Sequence, residues 1–301
     1  MVYAAHFTAA LVACYLAAQV LLRARWTWQI PGVAILSWQA VGLAMGLSAI
    51  GLPLSLGLAP YAVPTGTALR RFVRDLVGGQ LAVDLRAHHL VLIGTGFALG
   101  AVLLGSTGHG LITALRAQRR HRDLLNLVAR DDPEVPGALV LDHPSAAAYC
   151  LPGVRPRVVV SAGTLRLLDR AELAAVLTHE QAHARERHDL VLLPFTALRR
   201  ALPWLGWVRE ASDAVALLVE MRADDRARRL HNDRLLATAL IRFATAPARV
   251  TPIGALGIAD RELDARVQRL LVRGRPPRAR AAAALTFAAA LLYLPTSIYL
   301  S

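Results

Sequence analysis

The chain has 301 residues, of which 55% are hydrophobic, and its mean hydropathy is +0.42. Both values lie above the usual range for a soluble domain, so the composition favours a membrane protein. The formal net charge is +13, and every Lys/Arg position is an arginine. Because no helix-turn-helix, zinc-finger or aromatic-plus-basic pattern accompanies these arginines, we expect no direct nucleic-acid binding.

Four apolar segments are long enough to cross a lipid bilayer as helices. They are residues 2–22, 30–59, 90–115 and 281–301. The sequence therefore predicts a mostly α-helical, multi-pass membrane protein. Three transmembrane helices occupy residues 1–115, and the fourth follows a large loop at 116–280.

The second apolar segment leaves two interpretations open. It is uncharged from Trp26 to Leu69, so it could hold two crossings, which would reverse the orientation of everything after it. Gly51, Pro53 and Pro60, followed by a polar Pro-Thr-Gly-Thr stretch, favour one helix and then a loop.

Arginine clusters mark one end of each predicted span. They follow the first and third spans and precede the fourth: Arg23, Arg25, Arg116, Arg119, Arg120, Arg122, Arg275, Arg278 and Arg280. With four spans, these clusters fall on one side of the plasma membrane of a bacterium, which the positive-inside rule makes cytoplasmic. The 116–280 domain is then cytoplasmic, and both termini lie outside. The outer loop from about Tyr61 to His89 is an exception to the rule, since it carries Arg70, Arg71, Arg74 and Arg86.

The 116–280 loop is long enough for a packed core. Apolar runs at 138–141, 147–151 and 157–161 are separated by proline and glycine and predict a small antiparallel sheet. Asp169 and Glu172 form a capping-box pattern at the start of the next helix.

The following apolar segment, 190–207, is interrupted by arginines and prolines. We predict a buried or interfacial helical hairpin there rather than a span. Ser212 is a candidate N-cap for a further helix from about Asp213 to Arg229.

A metal-binding motif lies on the helix that the capping box begins. His179 and His183 are four residues apart, so both rings project from one helix face and can reach one Zn²⁺ at about 2.0–2.1 Å. Glu180 stands beside them and can take a proton from a metal-activated water. The sequence predicts one zinc ion per chain, with Glu180 as the general base and acid.

A catalytic zinc needs a third protein ligand. Glu220, on a separate helix, is the candidate. Asp224 lies four residues further and faces the same way, so it can accept a hydrogen bond from the far nitrogen of a ligand histidine. Asp189 and His188 are rival third ligands, although both fit better as support for the ligands or as a helix end.

Other histidines of the loop are weaker candidates for functional residues. His231 is a candidate stabiliser of the oxyanion, with an ordinary surface histidine as the alternative. His143 and His121 are not expected to be functional.

These motifs resemble the BlaR/MecR-type antirepressor metallopeptidases and, more broadly, the gluzincin membrane proteases that include HtpX and the CAAX prenyl proteases. The resemblance covers roughly residues 138–240. It rests on the motifs His179-Glu180-Gln181-Ala182-His183, Glu220-x-x-Ala223-Asp224 and Leu151-Pro152-Gly153…Val158-Val159-Val160-Ser161-Ala162-Gly163. The placement of the zinc domain between spans three and four also matches the antirepressor family.

The resemblance implies an α+β gluzincin-like domain in which His179, His183 and Glu220 bind zinc and Glu180 is catalytic. It also implies cleavage of a cytoplasmic protein or peptide, often a winged-helix repressor. The β-lactam sensors carry a penicillin-binding domain after the fourth span, whereas this chain ends at Ser301, so we do not expect it to sense β-lactams. The alternatives are an HtpX-like quality-control protease and a non-catalytic membrane receptor or scaffold with a vestigial zinc site.

Overall fold

The computed structural model describes residues 2–79, 84–131, 138–151, 157–246, 256–272 and 278–300. The predicted turn at 131–137 and the Pro152-Gly153 break fall largely outside these residues. The chain divides into two compact units. The first comprises Met1–Gly108, Ala197–Ala211 and Pro277–Ser301, and the second comprises His109–Thr196 and Ser212–Pro276.

Helices dominate the described residues. In chain order they are α1 (Val2–Arg23), α2 (Trp26–Gln29), α3 (Pro31–Gly57), a 3₁₀ turn (Ala59–Tyr61), α4 (Thr65–Val77), α5 (Ala87–Val128), α6 (Ala162–Leu167), α7 (Arg170–Arg185), α8 (His188–Ala201), α9 (Gly206–Ala227), α10 (Asp233–Ala244), α11 (Leu256–Leu271) and α12 (Arg278–Leu300).

Four of these helices, α1, α3, α5 and α12, are long and apolar enough to cross a membrane, as the sequence predicts. In the first unit, α3 packs against both α1 and α12. Close approach depends on small residues: a Cβ at Gly51 of α3 would overlap the ring of Phe7 on α1. The Phe7 ring also lies 5.5 Å from that of Tyr299 on α12, centroid to centroid.

The second apolar segment forms one long helix, α3, so the alternative of two crossings is wrong. The loop predicted after it is also wrong in part, because α4 occupies residues 65–77. Ala68 and Phe72 stand four residues apart on one face of α4 and pack into a cluster with Leu54 of α3 and Ile93 of α5. This tertiary packing stabilises α4, although the polar Pro-Thr-Gly-Thr stretch at its start predicts a loop.

Two further helix boundaries differ from the prediction. The helix of the third span, predicted to end at residue 115, continues without a break to Val128 as α5. Ser212 does not cap a helix, since it lies inside α9. The buried residues Val208, Ala211 and Val215 continue one helical face past Ser212.

The segment 190–207, where a hairpin is predicted, comprises most of α8 and the start of α9. Ala197–Ala211, which includes the end of this segment, belongs to the first unit. There the ring of Trp207 stands edge-on to that of Tyr15 on α1, with centroids 6.4 Å apart.

The second unit contains a four-stranded sheet. Its strands are β1 (Ala129–Asp131), β2 (Ala138–Leu141), β3 (Ala148–Leu151) and β4 (Arg157–Ser161), in the spatial order β1-β2-β4-β3. The sheet is mixed rather than wholly antiparallel, because β4 inserts between β2 and β3 and runs parallel to β2. The buried run Val158–Val160 suits this central position.

Local capping directs the chain from β4 into α7. The Ser161 hydroxyl accepts a hydrogen bond from the Thr164 backbone and begins α6. The predicted capping box is present: Asp169 accepts from the backbone N–H of Glu172, and the Glu172 side chain accepts from that of Asp169. One face of α7 then packs on the sheet through Leu173 and Leu177.

Candidate metal centre

Two histidines project from α7 into the interior of the second unit. The His179 side chain is buried, and that of His183 is partly buried. Their Nε2 atoms lie 3.2 Å apart, one helical turn along the same face. The ring nitrogens are therefore directed at a common point.

Glu220 joins them from α9. This part of α9 is held in place by three buried side chains, Val215, Leu218 and Val219. Glu220 Oε2 lies 3.4 Å from His179 Nε2, and Oε1 lies 3.5 Å from His183 Nε2. Among the residues that the structure describes, these three are the one group of His, Cys, Asp and Glu with three ligand atoms within 4.8 Å of one another.

The separations of these donor atoms fit a zinc ion. Ligands at about 2.0–2.1 Å from a tetrahedral Zn²⁺ stand about 3.3 Å from one another. The Nε2–Nε2 distance of 3.2 Å agrees with this value, and each Nε2 lies at a similar distance, 3.4 or 3.5 Å, from a different carboxylate oxygen of Glu220. Two imidazoles and one carboxylate also form a donor set of catalytic zinc sites, which leave one position open.

Glu180 lies beside this group, next to the outer strand of the sheet. Its carboxylate accepts a hydrogen bond from the Cys150 backbone on β3. Burial raises the pKa of Glu180 to about 7, against the opposing influence of His179. A carboxyl group with a pKa near neutrality can both take and return a proton, as general acid–base catalysis requires.

Asp224 contacts Nδ1 of His179, the ring nitrogen that faces away from the other donors. It is fully buried, and its Oδ1 lies 3.0 Å from His179 Nδ1. Burial alone would lower the pKa of His179, but the carboxylates of Asp224 and Glu220 beside its two ring nitrogens outweigh it and raise that pKa to about 9. The metal-free ring therefore carries a proton on both nitrogens, and zinc bound to Nε2 would displace one of them. A carboxylate on Nδ1 fixes the ring orientation and leaves Nε2 as the nitrogen that faces the other donors.

Arg266 of α11 is a member of the site that sequence reasoning missed. Its Nε and Nη2 donate to the two carboxylate oxygens of Asp224 at 2.9 and 2.8 Å, and its Nη1 lies 3.0 Å from Glu220 Oε2. Burial would raise the pKa of Glu220, but His179 and Arg266 lower it to about 2. The three carboxylates of Glu180, Glu220 and Asp224 with one guanidinium carry two net negative charges when ionised, which suits a divalent cation.

His183 has its own supporting residue in His188. The two Nδ1 atoms lie 3.0 Å apart, and His188 is buried. His188 Nε2 in turn lies 3.7 Å from Glu186, which is ion-paired with Arg222 and Arg226 of α9. Burial lowers the pKa of His183 to about 4, so its ring is neutral and able to bind a metal.

The other candidates lie apart from the three donors. Asp189 pairs with Arg187. His231 Nε2 lies 2.9 Å from the Thr178 hydroxyl, and its role as an oxyanion stabiliser stays a prediction. His121 contacts the Tyr149 hydroxyl, and His143 accepts from the backbone of Ser145.

Comparisons with known proteins agree with a peptidase. Residues 114–215 match the model of peptidase family M48. A "Protease HtpX homolog" from Thermoplasma acidophilum is 28% identical over 175 residues, which cover 54% of this chain and 55% of that protein. The chain thus spans about half the length of this curated relative. No solved structure matches the chain significantly.

The matched family segment includes α7 with its histidines and ends before Glu220. The comparisons support the wider protease group named by the resemblance. The antirepressor branch stays a prediction.

Proposed function

We propose that the chain is a membrane-embedded zinc metalloendopeptidase, and the match of residues 114–215 to the model of peptidase family M48 supports this. His179, His183 and Glu220 bind the metal, and Glu180 is the catalytic residue. The observation that carries this proposal is the convergence of His179, His183 and Glu220 on one point, beside the partly buried carboxyl group of Glu180.

Zinc bound here would polarise a substrate carbonyl and lower the pKa of a water molecule toward about 7. Glu180 takes the proton from the attacking water and passes it to the leaving amine. Asp224 and His188 hold the two ligand rings in place through their far nitrogens. Arg266 keeps Asp224 and Glu220 ionised, so both carboxylates retain their charge toward the metal.

The sheet edge offers a place for the substrate backbone. β3 is an outer strand, and its Cys150 N–H already contacts Glu180. An extended peptide that pairs with an edge strand gains main-chain hydrogen bonds. Such pairing would carry a scissile bond past Glu180, which supports a protein or peptide substrate.

Two kinds of biological substrate follow from different observations. The four-helix layout, with the zinc domain between spans three and four, favours a cytoplasmic protein, such as a winged-helix repressor. The similarity to a protein named as an HtpX protease homologue favours membrane-protein quality control. In both cases the chain lies in the plasma membrane of a bacterium, with the peptidase domain in the cytoplasm and both termini outside.

Comparative proteomics of wild-type and Glu180→Gln cells tests the proposal. Stabilisation of one repressor in the variant would support signalling, and accumulation of misfolded membrane proteins would support quality control. If no protein accumulates in the Glu180→Gln cells and the native substrate is still cleaved there, the proposed mechanism is wrong.

Metal analysis of the purified protein tests the remaining alternative, a receptor or scaffold with a vestigial site. We expect one zinc ion per chain, lost in His179→Ala. A chain without stoichiometric zinc, or with zinc that survives this substitution, would favour the vestigial site.

A further inference from the structure

Helix α4 lies at the end of two apolar helices of the first unit. Seven residues separate it from the end of α3, and its first turn packs against the last turn of α12. A Cβ at Gly66 would collide with the backbone carbonyl of Tyr299, so this contact is backbone to backbone. Since α3 and α12 both end here, α4 lies at the level where a bilayer around these helices would end.

One face of α4 is fixed against the helices. Ala68 and Phe72 are buried in the cluster with Leu58 of the α3 terminus and Ile93 of α5. Nearby, the Tyr61 hydroxyl donates to Asp75 Oδ2 at 2.9 Å. These contacts set the rotation of α4 about its axis, so the directions of its remaining side chains are also set.

The outward surface of α4 has two adjoining strips. At 100° per residue, Val73, Leu76 and Val77 form an apolar strip beside the buried face. Their exposed fractions are 45%, 61% and 85%.

Arg70, Arg74 and Arg71 follow in angular order and form a basic strip, with all three side chains exposed. An apolar strip directly beside a basic strip is typical of a helix that lies in a membrane interface.

We infer that α4 lies in the headgroup layer of the bilayer, with Val73, Leu76 and Val77 among the acyl chains and Arg70, Arg71 and Arg74 on the phosphates of anionic lipids. Burial of the apolar strip removes three exposed hydrophobic side chains from water. Guanidinium groups bind phosphate oxygens through paired hydrogen bonds. The one acidic side chain of this helix, Asp75, already accepts from Tyr61 and lies on the far side of the basic strip.

This assignment also accounts for the exception to the positive-inside rule. The arginines of α4 are expected on the outer side, where the rule disfavours them. Their lipid contacts hold α4 at the membrane surface and do not determine which side of the membrane each loop faces. The inference depends on insertion of the apolar helices and not on the proposed peptidase function.

Spin-label depth measurements test the apolar strip. Full-length protein without Cys14 and Cys150 is labelled at Val73→Cys or Val77→Cys and placed in nanodiscs containing phosphatidylglycerol. We expect both labels to relax more strongly with oxygen than with a water-soluble nickel chelate, at a depth of about 5–10 Å below the phosphates. Leu230→Cys, an exposed leucine of the second unit, is the control and should show the opposite preference. Labels on α4 that behave like the control would overturn the inference.

Lipid binding tests the basic strip. The variant Arg70→Gln/Arg71→Gln/Arg74→Gln should bind a fluorescent phosphatidylglycerol about tenfold or more weakly in detergent, with binding of the phosphatidylcholine analogue unchanged. The control, Arg166→Gln/Arg170→Gln/Arg185→Gln, removes the same charge from exposed positions of the second unit. An equal loss of phosphatidylglycerol binding in both variants, or no loss in either, would overturn the headgroup contact.

Discussion

At the scale of single residues, Glu180 combines two properties that a general base needs. It lies beside the metal donors, and burial keeps its pKa near neutrality. It is not one of the three donors that converge on a common point. Its removal should therefore affect the chemistry and leave the metal in place.

We expect Glu180→Gln to retain zinc and to lower peptide cleavage by about 10²–10⁴-fold, because the proton transfer is lost while the amide fills the same space. The measurement is single-turnover cleavage together with the zinc content of the same sample. Loss of zinc from Glu180→Gln would show that the side chain is a ligand, and full activity would remove its catalytic role.

His188 supports His183 as Asp224 supports His179. When His183 Nε2 binds a metal, its Nδ1 carries the proton and donates to His188 Nδ1, 3.0 Å away. His188 Nε2 then faces Glu186 at 3.7 Å. The two supporting residues act on different ligands, so each should affect metal affinity by itself.

We expect His188→Leu to weaken zinc affinity by about 10–100-fold, as measured by competition with a chelator. His188→Asn, which keeps an acceptor near His183, should recover part of the affinity. The matched control is His121→Leu, since His121 contacts Tyr149 and none of the donors. An unchanged affinity in His188→Leu would assign His188 to packing alone.

At the scale of elements, α11 is joined to α9 by two arginines. Arg266 binds Asp224, and Arg269 binds Asp225 and the Met221 carbonyl. Asp224 is fully buried, so its charge depends on Arg266 for compensation. α11 therefore stabilises the helix that presents Glu220.

We expect Arg266→Met to destabilise the second unit by about 3 kcal/mol, because it removes the bidentate partner of the buried Asp224 carboxylate and leaves only His179 beside it. The double variant Arg266→Met/Asp224→Asn should recover part of this loss. Arg242→Met is the control: its partner Glu172 is buried but Arg242 itself is half exposed, so the loss should be smaller. Thermal unfolding of the zinc-free proteins measures the differences, and equal losses for the two arginines would contradict the assignment.

The features that sequence alone predicted depend on short-range patterns. The capping box of Asp169 and Glu172 and the spacing of His179 and His183 involve residues within one helical turn, where geometry follows from the helix itself. The pairing of β2 with β4 and the position of Arg266 in the metal site depend instead on contacts between segments that are distant in sequence. Arginine is also the most frequent charged residue in this chain, so nothing in the sequence distinguishes Arg266 from the others.

At the scale of the whole molecule, the arginine clusters predict that the second unit faces the cytoplasm. Leu230→Cys, in a chain without Cys14 and Cys150, is an exposed reporter of that unit. We expect a membrane-impermeant maleimide to label it in inverted vesicles and not in intact spheroplasts. Val2→Cys, near the N-terminus, should show the reverse pattern. Labelling of Leu230→Cys in intact spheroplasts would place the peptidase unit outside and invert the predicted topology.

The central claim is that His179, His183 and Glu220 hold one zinc ion, and zinc X-ray absorption of the purified full-length protein tests it most directly. The account predicts one zinc per chain, with two imidazole nitrogens and carboxylate oxygen at about 2.0–2.2 Å and no sulfur neighbour at about 2.3 Å. It also predicts that His183→Ala lowers the zinc content, and that any zinc retained has one imidazole neighbour fewer. A zinc-free protein, a sulfur neighbour, or a spectrum unchanged by His183→Ala would contradict it.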